Sequence, residues 1–148
     1  MSISSGIYIK LDSANYNPLF LLKILLKAGW SLTDHGLKGY LPLGDNGNYD
    51  WTFDILSDEQ LFIILKEKCL LNELLGVVLT WRDSNIGGEF LFDINGVITI
   101  SLSINHLRTF NGITDLNWYF EKIIPCIRSN NMKILSIKYE EYPKITTK

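Results

Sequence analysis

Residues 89–104 read EFLFDINGVITISLSI, two alternating runs on either side of an Asn-Gly pair. Asn-Gly is a strong signal for a two-residue hairpin turn. That turn would pair residues whose numbers sum to 191 and set Phe92 against Thr99. The apolar sets Phe90/Phe92/Ile94 and Ile98/Ile100/Leu102 are all even-numbered. Directly opposed residues share a face, so only an even sum puts both sets on one side. A three-residue loop, Ile94-Asn95-Gly96, gives a sum of 190, so that Phe92 meets Ile98 and Phe90 meets Ile100. Gly96 then takes the left-handed bulge position. The hairpin predicts an antiparallel sheet with one apolar face.

Upstream, LLGVVLTW (74–81) is continuously apolar and reads as an interior strand. SDEQ (57–60) has the form of a capping box and opens a helix running to about Asn72. YDWTFDIL (49–56) alternates, with Tyr49, Trp51, Phe53 and Ile55 expected in the core and Asp50, Thr52 and Asp54 in solvent. HGLKGYLPLG (35–44) predicts a strand that Pro42 confines to an edge or a bulge. NPLFLLKILLKAGW (17–30) predicts a largely buried helix, with Asn17 as N-cap, Pro18 at the first position and Gly29 at the end. GIYIKLD (6–12) is a first strand.

Downstream, ITDLNWYFEKIIP (113–125) predicts a helix capped by Thr114 or Asp115. Leu116, Phe120, Ile123 and Ile127 recur at helical spacing as its core stripe, and Pro125 is expected to kink or end it. Tyr119 would flank that stripe and Trp118 would lie nearly opposite, so one seam cannot bury all three adjacent aromatics. Trp118 then packs on a second element or anchors at the surface, and burial is the expectation. ILSIKYEEY (134–142) is a closing strand. The order is β-α-β-β-α-β-β-β-α-β: an α+β fold, residues 1–148 forming a single domain, with three helices packed on a mostly antiparallel sheet.

A chain of 148 residues buries roughly 70 % of its unfolded surface and needs no metal or disulfide to fold. The 47 % hydrophobic and 20 % charged content excludes a disordered chain. Cys69 and Cys126 lie among apolar residues and read as free thiols of a reducing compartment. The start MSISSGIYIKLDS lacks the basic region of a secretion signal, and Lys23 and Lys27 interrupt the most apolar run. A soluble cytoplasmic protein is expected. Net charge is −2 but uneven: +2 over residues 1–33, −7 over 34–95 and +3 over 96–148. The acidic middle argues against nucleic-acid binding there and suits a basic partner or a solvated face.

No phosphate-binding loop, nucleophile elbow or Cys/His metal spacing occurs. His35 beside Asp34 and His106 near Arg108 could be combined with Asp50, Asp54 and Asp83 into a hydrolase, but no motif holds these groups together. The expectation is no catalysis, no cofactor and no metal. Asp50 and Asp54 would stand on one strand face. Asp58 and Glu59 suit the first turn of a helix whatever the function. With Asp45 they make up the candidate partner-binding surface: Asp45, Asp50, Asp54, Asp58 and Glu59.

The stretch SLSINHLRTFNGITDLNWYFEKIIP (101–125), following the hairpin GEFLFDINGVITI (88–100), resembles the immunity proteins of bacterial polymorphic toxin systems. Within that group it resembles those of contact-dependent growth inhibition. The likeness covers Leu74 to Pro125 and rests on strand order plus Thr114-Asp115-Leu116-Asn117-Trp118-Tyr119. It implies a non-enzymatic cytoplasmic inhibitor that binds the C-terminal domain of a cognate toxin, often a nuclease. It implies no particular binding residue, because such families diverge at that surface. A protein-binding adaptor or regulatory subunit is the alternative, ahead of a small hydrolase.

Overall fold

A computed structural model describes residues 3–33, 36–82 and 84–143. In chain order the elements are β1 (Ile3–Leu11), α1 (Pro18–Ala28), β2 (Trp30–Ser31), β3 (Lys38–Tyr40), β4 (Thr52–Asp54), α2 (Asp58–Leu70), β5 (Leu75–Trp81), β6 (Gly87–Phe92), β7 (Val97–Ile104), α3 (Leu116–Ser129) and β8 (Ile134–Pro143). The strands make one antiparallel sheet in the order β4-β3-β5-β6-β7-β1-β8. The short β2 was not expected; it shares with β3 the edge of β5 that β6 leaves open.

The hairpin register is the even one. Phe92 pairs with Ile98 and Phe90 with Ile100, and Gly96 sits at φ 93°. The register carries on across the sheet, from Ile100 to Ile7 to Tyr139 and from Ile98 to Ile9 to Ile137. Phe90, Phe92, Ile98, Ile100, Ile7 and Ile9 form the floor of the core, and the buried apolar residues of all three helices join the same cluster.

Local signals account for the helix ends. The Asn17 side chain accepts from Phe20 N–H, and Gly29 closes α1 at φ 135°. Both bonds of the Ser57/Gln60 capping box are made. Asp115 caps α3 by accepting from Trp118 N–H, which leaves the Thr114 side chain free for other partners.

Three expectations are corrected in whole or in part. Of the two outcomes expected at Pro125, the helix does not end there, since α3 continues to Ser129. A helix-interior proline costs about 3 kcal/mol, but Ile123 and Ile127 on either side of it are fully buried. Each such side chain contributes about 1.5–3 kcal/mol when removed from water. The seam of α3 runs through Tyr119, Ile123 and Ile127, while Leu116 and Phe120 are half-buried. Tyr119 can take the seam because its hydroxyl accepts from Leu107 N–H at 3.0 Å. Trp118 packs on a second element: its ring meets Trp30 of β2 edge-on at 6.4 Å.

The third correction concerns residues 49–55. Only Thr52–Asp54 is strand, and its sides are reversed. Tyr49 lies at φ 55°, so alternation cannot be counted through it. The face is set instead by pairing Thr52 with Tyr40, which points to the helices. Phe53 and Ile55 therefore point away from the core and are 47 % and 86 % exposed. Asp54 lies on the helix side.

A Cβ on Gly96 would stand 2.9 Å from the Leu11 carbonyl oxygen, at a φ that strains β-branched residues. Gly96→Val is expected to destabilise the protein by about 2 kcal/mol or more, read as a lower denaturation midpoint with an unchanged m value.

Candidate functional site

The buried residues of the helices all pack on one side of the sheet, against Phe90, Phe92, Ile98 and Ile100. Among the described residues no helix covers the other side. Two rows cross that open face. One runs Phe53, Gly39, Val78, Glu89, Ser101, Gly6, Glu140; the other runs Gly76, Leu91, Thr99, Tyr8, Lys138.

Glycines at fixed places let larger neighbours lie flat. A Cβ on Gly39 would stand 2.6 Å from the Phe53 ring and 2.5 Å from the Val78 side chain. One on Gly76 would stand 2.6 Å from Leu41, and one on Gly6 3.1 Å from the Tyr8 hydroxyl. Phe53, Leu41 and Tyr8 thus roof the three glycines. Val78 is only 1 % exposed although, among the described residues, no second layer lies over it. The result is a low, smooth face with Glu89 half-buried in its middle, where burial raises its carboxyl pKa. At the β4 end the face finishes in three exposed apolar side chains: Leu37, Phe53 and Ile55.

The five carboxylates of the expected partner surface do not act alike. Asp45 is 6 % exposed, which corrects its placement on the surface. Its two oxygens accept from Tyr49 N–H and Asp50 N–H and hold the turn. Asp54 is half-buried and accepts from the Tyr40 hydroxyl at 2.7 Å. Burial, with Asp54 as the next cause, pushes that phenol up to about 12. Asp58 is exposed and pairs with the buried Lys38 ammonium at 3.1 Å. Asp50 and Glu59 are exposed. The apolar residues Leu37, Phe53 and Ile55 were missed as surface residues. Their one sequence signal was Pro42, which marked this region as a sheet edge.

His35, Asp34 and Asp83 lie outside the described residues. His106 lies in a polar cluster that joins β1, β8 and the loop before α3. Thr114, 5 % exposed, donates its hydroxyl proton to Glu141, and Tyr139 donates to the same carboxylate. Thr114 N–H also reaches Glu141, at 3.1 Å. With the threonine proton committed, His106 Nε2–H donates to Thr114 Oγ1 at 2.6 Å. His106 Nδ1 is then buried with no partner. Burial lowers the His106 pKa, Arg108 adds to the shift and Glu141 opposes it. The hydroxyl is closed off from solvent, so the cluster is a clasp between chain segments rather than an exposed nucleophile.

Tyr16, Asn17, Cys69, Asn72 and Glu73 line a cavity of about 230 Å³. The buried Tyr16 hydroxyl has no partner there, and burial raises its pKa. Cys69 and Cys126 are free thiols, both shifted up by burial. Among the described residues no three His, Cys, Asp or Glu side chains converge as a metal site. No helix there is long and apolar enough to cross a membrane. Comparison with protein-family models, curated proteins and solved structures found no match to this chain.

The His106 clasp has a pH signature. The folded pKa lies below the ordinary 6.5, so the unfolded chain binds the extra proton first. The stability that neutral His106 contributes is fully present above 6.5 and is lost as pH falls through the folded value. Tm of the native protein should fall between pH 7 and pH 5 more steeply than that of His106→Gln, which keeps a donor but does not titrate.

Proposed function

We propose that this chain is an immunity protein: it binds a cognate, basic toxin domain in the cytoplasm and blocks it, with no catalysis of its own. The observation that carries the reading is the open, glycine-paved sheet face ending in Leu37, Phe53 and Ile55. Apolar anchors beside a charged rim are the anatomy of a protein interface. Asp50, Asp58 and Glu59 supply that rim, since they flank Phe53 and Ile55 in the chain and are exposed. Asp45 and Asp54 are given up as contacts because their oxygens serve the turn and Tyr40. The resemblance over Leu74–Pro125 supplies the toxin as the kind of partner.

A rigid sheet face loses little conformational freedom on binding, which favours affinity. Apolar anchors of this kind act mainly on the dissociation rate, and rim charges on the association rate. The two contributions are therefore separable.

The test is binding of the purified protein to the toxin domain encoded by the gene immediately upstream. Phe53→Ala with Ile55→Ala should raise Kd about 10–100-fold, mostly through faster dissociation. Asp50→Lys with Glu59→Lys should slow association and weaken its dependence on salt. Native affinity in both variants would move the interface elsewhere, first to the basic flank of Arg108, Lys122 and Arg128. No binding to that domain, with capture of a different partner, would favour the adaptor reading.

A further inference from the structure

We propose that the chain forms a symmetric dimer through edge-to-edge pairing of β8 with β8 of a second copy. The two edges of the sheet are unlike. At one edge β4 has three residues; at the other β8 has ten, and among the described residues it pairs only with β1. A long free edge carries a row of unpaired backbone groups that another strand can take up.

The backbone shows which groups are free. Leu11 N–H donates to Gly96 and Asp12 N–H donates to Lys133. Even residues of β1 therefore bond to β8, and their partners are the even residues Ser136, Lys138, Glu140 and Tyr142. The odd residues Ile137, Tyr139 and Glu141 turn their N–H and C=O groups outward. A register shift opposite Lys10/Leu11 interrupts the strand before Ser136, and Pro143 in the next outward position has no N–H. The regular, bondable run is Ser136–Tyr142.

A two-fold axis that keeps the helix layers on one side demands opposed residues of equal parity. Centring on Lys138 stacks that lysine on its copy, and centring on Glu140 stacks two glutamates. Centring on Ile137 uses only Ser136–Lys138 of the regular run. Centring on Tyr139 uses all of Ser136–Tyr142. It sets Lys138 opposite Glu140 of the second copy, and Glu140 opposite Lys138. Its three outward pairs each exchange two backbone bonds. Lys138 alone would protect an edge; with Glu140 two residues on, the edge complements itself. Ile137, 39 % exposed, would lose contact with water. Lys138 and Glu140 already attract within one chain at 3.5 Å, and the dimer exchanges one such contact in each copy for two between the chains.

The dimer does not rest on the toxin-binding reading, because it uses the opposite edge and needs no other protein. The test is the mass of the purified chain by sedimentation over a concentration series, for the native protein, Lys138→Glu, Glu140→Lys and the double exchange. The native chain should dimerise, each single reversal should weaken the dimer about tenfold or more by setting like charges opposite, and the double exchange should restore it. Hydrogen exchange on the native protein gives a second reading: the amides of Ile137, Tyr139 and Glu141 should gain protection as concentration rises. A native chain that stays monomeric up to about 1 mM overturns the proposal. So does a dimer indifferent to the single reversals, or one that the double exchange fails to rescue.

Discussion

A seven-strand-wide sheet with helices on one side must keep its other side stable in water without a second layer. Much of the molecule follows from that condition. The helix side holds Phe90, Phe92, Ile98, Ile100, Ile7 and Ile9, where large side chains meet large side chains. The open side cannot stack bulk on bulk, so glycines at positions 6, 39 and 76 receive Tyr8, Phe53 and Leu41 laid across them. A glycine inside a strand costs backbone entropy. That loss is offset by apolar contact made sideways within a single layer. A Cβ at any of the three would lift its roof.

The loop between β3 and β4 is held by two buried charges, Lys68 and Asp45. Lys68 on α2 is fully buried, donates to the Pro42 carbonyl at 2.8 Å and meets Glu73 at 3.4 Å. Glu73 also accepts from Gly44 N–H. With Asp45 bonding two amides further along, the 42–50 segment is pinned from below by α2 and from within by its own turn. A buried charge is tolerated when its hydrogen bonds are made, and its partners are then fixed in place. Tyr49 and Asp50 stand on that pinned segment.

Much of the fold was legible in local chemistry. Caps at Asn17, Ser57 and Asp115 depend on residues three positions apart, and the hairpin register on parity within sixteen residues. Alternation in 52–55 identified residues that share a face but not which face the helices would cover. That answer came from Tyr40, a dozen residues away on the neighbouring strand. Asp45 read as surface charge because its turn bonds are backbone contacts that composition does not report. The Ser5–Thr114–Glu141 contacts span 109 and 27 residues and left no trace in either neighbourhood. Trp118 was legible as a misfit in its own helix, but its partner Trp30 was not.

The placement of β1 bears on how the chain reaches this state. Strands β5, β6 and β7 follow one another and can zip as local hairpins. β1 is made first yet pairs with β7 and β8, nearly a hundred and more than a hundred and twenty residues later. Contacts of such separation form late, because the intervening loop must close before they repay its entropy. During synthesis Ile7, Ile9 and Leu11 must therefore wait, apolar and unpaired, until β7 has left the ribosome. The sheet gains its last strand only when residue 143 is free. Until those partners arrive, the apolar side of β1 has nothing within its own neighbourhood to pack on, and exposure of that kind is what makes a partly folded chain prone to aggregate.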